Sequence, residues 1–492
     1  MVSKSLKFIV IIIALSVFSD LSAGEGSNKS ALRGEALAAL RTSIRFYHKE
    51  VATHGGYVWR YSADLAKREG EGMNTRDQVL IQPPGTPTVG MAFLSAYEAT
   101  GEADFLAAAK DAAMCVVKSQ IQSGGWRLKA DFDPEKRKAN RYRTNPEWKK
   151  ASNWATFDDD STQAALQLLM RVDKALDFRE PAIHEAALFA LGAIRAACYP
   201  VGAWPQWFEG PVSQDLQVHP MIQATPSAGS LKPWPGYADP EWKYTKFYTL
   251  NDSQQRTMIR SLLEAASIYS NAEYRTMAEH AGDFLLRSQL PEPQPGWAQQ
   301  YNFQMQPDWG RKFEPPSVCA QDTQDSLWAL MDVYRATKDR KYLEPIPRAL
   351  AYLKRSPRVT HEDQSHLAMF YELRSNRVLY INESYEVVHE PVNVITHYAM
   401  HVPDETEAIA TELNRLQSMP DAVSLAATKT PPTDSDTWEV IRALDQRGAW
   451  VQPGRLPGYG NADDTRSVIT SETFAKKVNL LSDFLMQFKT ER

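Results

Sequence analysis

The chain has 492 residues, 43% hydrophobic and 23% charged, with a formal net charge of -5. This is the composition of an ordinary globular protein with a large core, and it excludes a disordered chain. The weak negative charge excludes broad attraction to nucleic acid or to an anionic surface, so an anionic ligand would need local basic groups.

Lys4 and Lys7 precede an apolar run from Phe8 to Phe18 that ends in Leu21-Ser22-Ala23-Gly24. Residues 1–23 read as a secretory signal, leaving a mature chain of 24–492 in the periplasm or secreted, with no integral membrane role after cleavage. The run is short for a bilayer span, and an uncleaved anchor is the alternative. Cys115, Cys198 and Cys319 form no disulfide framework; buried free thiols are expected, and an oxidising compartment would permit one bridge. No CxxC, HExxH or run of histidines points to zinc.

Helical periodicity dominates the mature chain. Helices are predicted over Glu35–His48, from the turn at Gln82–Pro87 through Ala99, over Ala103–Gln120, Asp160–Val172 and Ala182–Cys198. The same pairing recurs at Asp252–Tyr269 with Tyr274–Arg287, and at Asp322–Tyr334 with Leu343–Leu353. Two helices a few residues apart, then a longer loop rich in Gly, Pro and Trp, make the repeating unit. Such hairpins bury one stripe against the next pair. The expected fold is all-α, an (α/α) toroid of helical hairpins with long loops on one face and a small β-hairpin between Met369 and His389. An open solenoid shares much of the pattern. A polar linker from Pro420 to Asp436, a helix near Trp438–Asp445, a loop at Arg455–Asn461 and a helix at Glu472–Phe488 complete one domain with peripheral additions.

Two acidic segments, Thr156-Phe157-Asp158-Asp159-Asp160 and Thr249-Leu250-Asn251-Asp252, each open a long amphipathic helix. One aspartate suffices to cap a helix and face its dipole. Three in a row exceed that need, and clustered oxygen ligands suit calcium. Asn251 and Asp252 alone are explained by capping; the recurrence links them to the first segment. Trp204-Pro205-Gln206-Trp207 is a stiffened aromatic loop, suited either to stacking on a sugar or to core packing. His54–Tyr61 is a second such cluster. Arg311, among Trp309, Phe313 and Glu314, is either a partner of Glu314 or a fork for a substrate carboxylate. Arg287, at a helix end, either favours the dipole or clamps a second carboxylate.

In order, these segments resemble the polysaccharide lyase family 10 pectate lyases, from Leu32 to Pro357 with a weaker echo at Trp438–Trp450. Phe157–Thr162 matches the FDNGAT-like segment, Gly202–Gln206 the GGWPQ segment, and Thr249–Asp252 the TFND segment. Arg287–Pro291 matches KSQLP, and Trp297–Ser317 the WAQQYD…ARxFEPPS region. The resemblance implies calcium-assisted β-elimination of an acidic polyuronate, pectate first, by a monomer. It further implies Asp158 and Asp252 as calcium ligands, and Asp252 with Asp159, Trp204, Gln206 and Arg287 on the substrate. Arg311 is implied as the catalytic residue, a Brønsted base. Arginine ordinarily stays protonated, so that role needs a site favouring its neutral form.

Three departures stand out. Asp159 replaces the family's asparagine, Ala203 its second glycine, and Asn376–Ser384 lacks the GRDG portion of an NRPIFSGRDG-like strand. An inverting glycoside hydrolase, a catalytically silent carbohydrate-binding protein and a protein-binding solenoid therefore remain as alternatives.

Overall fold

A computed structural model describes residues 29–144, 150–216, 233–237, 242–418 and 430–489. The signal expected at 1–23 lies outside the described residues. In chain order the helices are α1 (residues 29–46), α2 (Thr86–Thr100), α3 (Ala103–Ser119), the single turn α4 (Pro134–Arg137), α5 (Ser161–Ala175), α6 (Pro181–Ala196), α7 (Gln254–Ile268) and α8 (Ala272–Ser288). They continue with α9 (Ala320–Thr337), α10 (Ile346–Arg355), α11 (Thr406–Ser418), α12 (Asp434–Arg442) and α13 (Ser471–Met486). Paired helices with small sheets in their loops place the chain in the all-α, (α/α)-toroid class expected from its periodicity. None of the described helices is long and apolar enough to cross a membrane.

The chain divides into two compact units, one of Met1–Leu80, Pro84–Cys115 and Lys429–Arg492, the other of Ile81–Pro83 and Val116–Thr428. In the first, α13 packs along α2. Phe474 of α13 stacks on Tyr47 at 3.7 Å between ring centres and meets Phe93 edge-on at 5.6 Å. A four-stranded antiparallel sheet joins residues 60–62 and 68–69 to 452–453 and 467–470. Tyr57, Val58 and Tyr61 are buried, so the His54–Tyr61 cluster is core packing. Helix α12 starts earlier than expected because Thr433 and Asp436 form a reciprocal capping box at Asp434.

In the second unit α5, α7, α9 and α11 pack as successive neighbours, with α6, α8 and α10 as their hairpin partners. Gln163 donates to Thr257, Gln167 to Ser261 and Arg171 to Glu264, at sequence offsets of 94, 94 and 93. A constant offset along three turns means that α5 and α7 run parallel and in register. Their N-termini therefore lie side by side, and that end of the unit is where the acidic segments sit.

One buried device recurs after the outer helices. Trp126, Trp204, Trp297 and Trp450 are all fully buried. Their indole N–H groups donate to the carbonyls of Val116, Ile194, Leu285 and Val440, at 2.8–2.9 Å, in the last turns of α3, α6, α8 and α12. Each indole donates to a carbonyl in the last turn of a helix, where carbonyls have no partner from the helix backbone. The tight turn before two of them needs glycine: Gly202 and Gly448 have φ of 92° and 97°, and a side chain at either would collide with a backbone carbonyl. The three cysteines are free, with Cys115 and Cys319 buried.

Candidate functional site

Each acidic segment is delivered by the same local structure. Ala155–Thr156 pairs antiparallel with Trp207–Phe208, and Tyr248–Thr249 pairs with Gln300–Tyr301. Phe157 N–H then donates to the Gln206 carbonyl, as Leu250 and Asn251 N–H donate to that of Gln299. Two consecutive left-handed residues come next, Asp159-Asp160 at φ 50° and 58°, and Asp252-Ser253 at φ 52° and 60°. Helices α5 and α7 begin immediately afterwards. Left-handed non-glycine residues cost about 1–3 kcal/mol each and concentrate at functional sites. In this repeat Asp159 is the counterpart of Asp252, and Asp158 the counterpart of Asn251.

Because α5 and α7 run in register, the carboxylates converge. Asp158, Asp159 and Asp252 each offer an oxygen lying within 4.8 Å of the others. Burial raises the Asp252 carboxyl well above its ordinary range, as do the Asp158 charge, a hydrogen bond shared with Asp158, and Asp159; Arg311 opposes them. Asp158 Oδ1 is buried with no hydrogen-bond partner among the described residues. Asp159 and Asp252 line a cavity of about 390 Å³ with Gln82, Pro83, Ser253, Gln321, Met369, Tyr398 and Ala399. Behind it, Asp325 accepts from Ser253 Oγ at 2.7 Å and from Arg256 Nη1 at 2.9 Å, which anchors the second left-handed turn. Burial pushes the Asp160 carboxyl up to about 7, against a Thr257 hydrogen bond and the Arg260 charge.

Arg311 belongs to a loop wound around one carboxylate. Buried Glu314 accepts from Arg311 N–H at 2.7 Å, from its Nε at 2.9 Å and from its Nη2 at 2.5 Å. Gln299 Nε2 donates to the same carboxylate at 3.0 Å and to Asn251 Oδ1 at 2.5 Å, tying this loop to the second acidic segment. Gly310 leaves room for Glu314, whose oxygen would sit 2.5 Å from any Cβ there. Burial alone would lower the guanidinium's proton affinity, but the Glu314 hydrogen bonds and charge outweigh it and hold it above the ordinary value. The guanidinium lies over Phe313 and Tyr398, at 4.9 and 5.6 Å from their ring centres. Arg311 acts electrostatically on Asp252 and is acted on by Asp158, so the loop and the carboxylates form one site.

The remaining expected residues fall elsewhere. Trp204 has no exposed face and is a core residue, so it offers no stacking surface. Gln206 is also buried, and it serves through its backbone carbonyl. Arg287 donates to the Val201 carbonyl at 2.5 Å, and burial lowers its proton affinity against the Asp283 charge; neither partner lines the cavity. Of the two tryptophans in the aromatic loop, the exposed one is Trp207, 40% exposed, stacked on Trp154 at 4.6 Å with Arg127 3.8 Å over the Trp154 ring. Trp207 pairs with Thr156, two residues before Asp158. Alternation along the strand was its signal: with Phe208 inward, Trp207 faces out. Trp207→Ala is expected to lower stability by no more than about 0.5–1.5 kcal/mol, the worth of one ring pair. Trp204→Ala is expected to lower it by about 3–5 kcal/mol. Urea denaturation separates the two.

No protein-family model matches the chain, and no curated protein matches it. Similar solved structures include a family 10 polysaccharide lyase from Cellvibrio cellulosa, at 15% identity and a TM-score of 0.45, covering 68% of this chain and 97% of that one. A mutant of that lyase was solved with trigalacturonic acid. A cellobiose 2-epimerase from Bacillus thermoamylovorans is 12% identical at a TM-score of 0.46, covering 94% and 100%. A GH76 α-mannanase from Bacteroides thetaiotaomicron is 11% identical at 0.41, covering 94% and 96%. The likeness is one of fold.

Proposed function

We propose that the chain is a carbohydrate-active enzyme that cleaves an acidic polyuronate, pectate first, by calcium-assisted β-elimination. The observation that supports this reading is the convergence of Asp158, Asp159 and Asp252 within 4.8 Å, in electrostatic reach of Arg311. The donor set fits calcium: three carboxylates with converging oxygens, Asp158 Oδ1 buried without a hydrogen-bond partner among the described residues, and Asp252, whose proton affinity is raised by burial and then by the neighbouring Asp158 and Asp159. Held by Asp158, Asp159 and Asp252, calcium would supply the positive charge that draws a uronate carboxylate and favours the negative charge growing on it.

The protein's own groups account for the rest. In the elimination hydroxide takes the C5 proton, the C5–H electron pair forms the C4–C5 double bond, and the C4–O4 bond breaks with its pair on O4, which water protonates. Charge develops on the C5 carboxylate, and a guanidinium fixed by Glu314 is preorganised to hold it. While that grip lasts, Arg311 is a charge holder; acting as a base would require the Glu314 contact to open. Trp207, backed by Trp154, offers its outer ring face to a neighbouring sugar.

The direct test is ultraviolet absorbance of the unsaturated product during incubation with polygalacturonate at alkaline pH, with added calcium and with chelator. A calcium-dependent rise is expected. A flat trace from folded protein overturns the pectate reading and moves the assay to alginate and glucuronans.

A further inference from the structure

Arg127 is set beside the carboxylate site by its two chain neighbours. The Trp126 carbonyl accepts from Thr156 N–H at 2.9 Å, in the strand that leads to Asp158. The Leu128 carbonyl accepts from Gln82 N–H at 3.0 Å, and Gln82 is part of the cavity wall. The guanidinium lies 3.8 Å over the Trp154 ring, and Trp207 stacks on that ring at 4.6 Å. One face cannot hold both groups, so Arg127, Trp154 and the exposed Trp207 form a single stack. What Arg127 lacks is a counter-charge. Its hydrogen bond runs from Nη1 to the neutral Asn140 Oδ1, which leaves most of its N–H donors unspent among the described residues. In the same unit Arg171, Arg256 and Arg335 each meet a carboxylate, of Glu264, Asp325 and Glu412. Burial lowers the proton affinity of Arg127, opposed only by Tyr142.

We infer that the Arg127–Trp154–Trp207 stack is a glycan subsite in which Arg127 binds a uronate carboxylate and so selects acidic over neutral sugars. The ligand class rests on the acidic-glycan part of the proposed function, and the elimination chemistry does not enter. A half-buried guanidinium held over an indole is preorganised, and its planar fork matches a carboxylate through two parallel N–H···O bonds. An arriving uronate supplies the counter-charge that the fold omits, in surroundings that screen it less than open water does. The two parts of the stack read different features. Trp207 offers a ring face to any sugar, whereas Arg127 responds to the carboxylate alone. The cation–π contact with Trp154 fixes Arg127 in place without neutralising it, which leaves its charge for the ligand.

The test is calorimetric titration of the full chain, in chelator, with tetragalacturonate and with the same oligosaccharide carboxyl-reduced to its neutral form. Arg127→Gln should weaken tetragalacturonate binding at least tenfold and leave the affinity for the reduced form unchanged. The parent's affinity for tetragalacturonate should fall with added salt, and that dependence should flatten in the variant. Trp207→Ala should weaken both ligands by a similar factor. Arg127→Lys keeps the charge without the fork, so its loss should be intermediate, and it serves as the second variant if the glutamine one fails to fold. Equal losses for both ligands in Arg127→Gln overturn the clamp, as does unchanged binding. Failure of the folded parent to bind tetragalacturonate overturns the subsite. Selective binding alongside a flat absorbance trace removes the elimination and leaves the subsite standing, so the two readings fail separately.

Discussion

Under the proposed elimination, Asp252→Asn is expected to lower calcium-dependent cleavage of polygalacturonate by about 10²–10³-fold while making the cation-free chain more stable. Both outcomes rest on one geometry: three carboxylates within 4.8 Å, with the proton affinity of Asp252 raised by burial and by Asp158. A carboxyl whose folded pKa lies above its unfolded value of about 3.9 binds its proton more tightly in the folded chain. Its contribution to stability is therefore full below the unfolded value and is lost as pH rises through the folded one. At neutral pH without calcium the cluster is a liability, which the neutral asparagine removes. The thermal midpoint of the metal-free variant should rise by about 1–3 °C. Calcium should stabilise the parent by mass action and leave the variant almost unmoved. Loss of the charge that favours the reacting carboxylate should lower turnover by about 10²–10³-fold. Scanning calorimetry with and without calcium, beside the absorbance assay, checks both. A variant that binds calcium and turns over like the parent would remove the cluster from the mechanism.

Arg311→Ala is the second large effect, with turnover expected to fall by about 10²–10³-fold. Arg311→Lys distinguishes its roles. A guanidinium gripped by Glu314 is held protonated, so a lysine that keeps the positive charge should retain measurable activity with an unmoved alkaline limb in the pH–rate profile. An arginine acting as base would instead shift that limb on replacement by lysine. Glu314 is the positioning residue here. Glu314→Gln preserves the shape but removes the charge that fixes the Arg311 guanidinium in place, and should raise KM and reduce kcat less than Arg311→Ala does. If Arg311→Ala leaves turnover intact, the loop is structural only.

The helices were legible because their cause is local. Apolar spacing of three and four residues placed α2, α3, α5 to α10 and α13 within a few residues of their observed ends. The acidic segments were legible as a pair because the same residue types open two helices. The hairpin expected between Met369 and His389 is present, with Phe370–Glu372 pairing antiparallel to Val378–Ile381. The linear pattern did not reveal α11, whose apolar positions Ile409, Leu413 and Leu416 are few, or the other short strands, most of which pair at a distance.

The site shows the same division. That aspartates precede α5 and α7 is written in the chain, but their convergence depends on two helices running parallel at a constant offset of 93–94 residues. The chain offered Trp204 and Trp207 as equals; packing under the last turn of α6 buried the first, and strand alternation exposed the second. Arg287 and Arg311 looked interchangeable as carboxylate clamps, yet one closes a helix end while the other is wound around Glu314 beside the aspartates. Backbone preference and amphipathic period are properties of neighbours in sequence, and these the sequence carries. Which side chain meets water, a cation or another charge is a property of neighbours in space, set only when the hairpins pack.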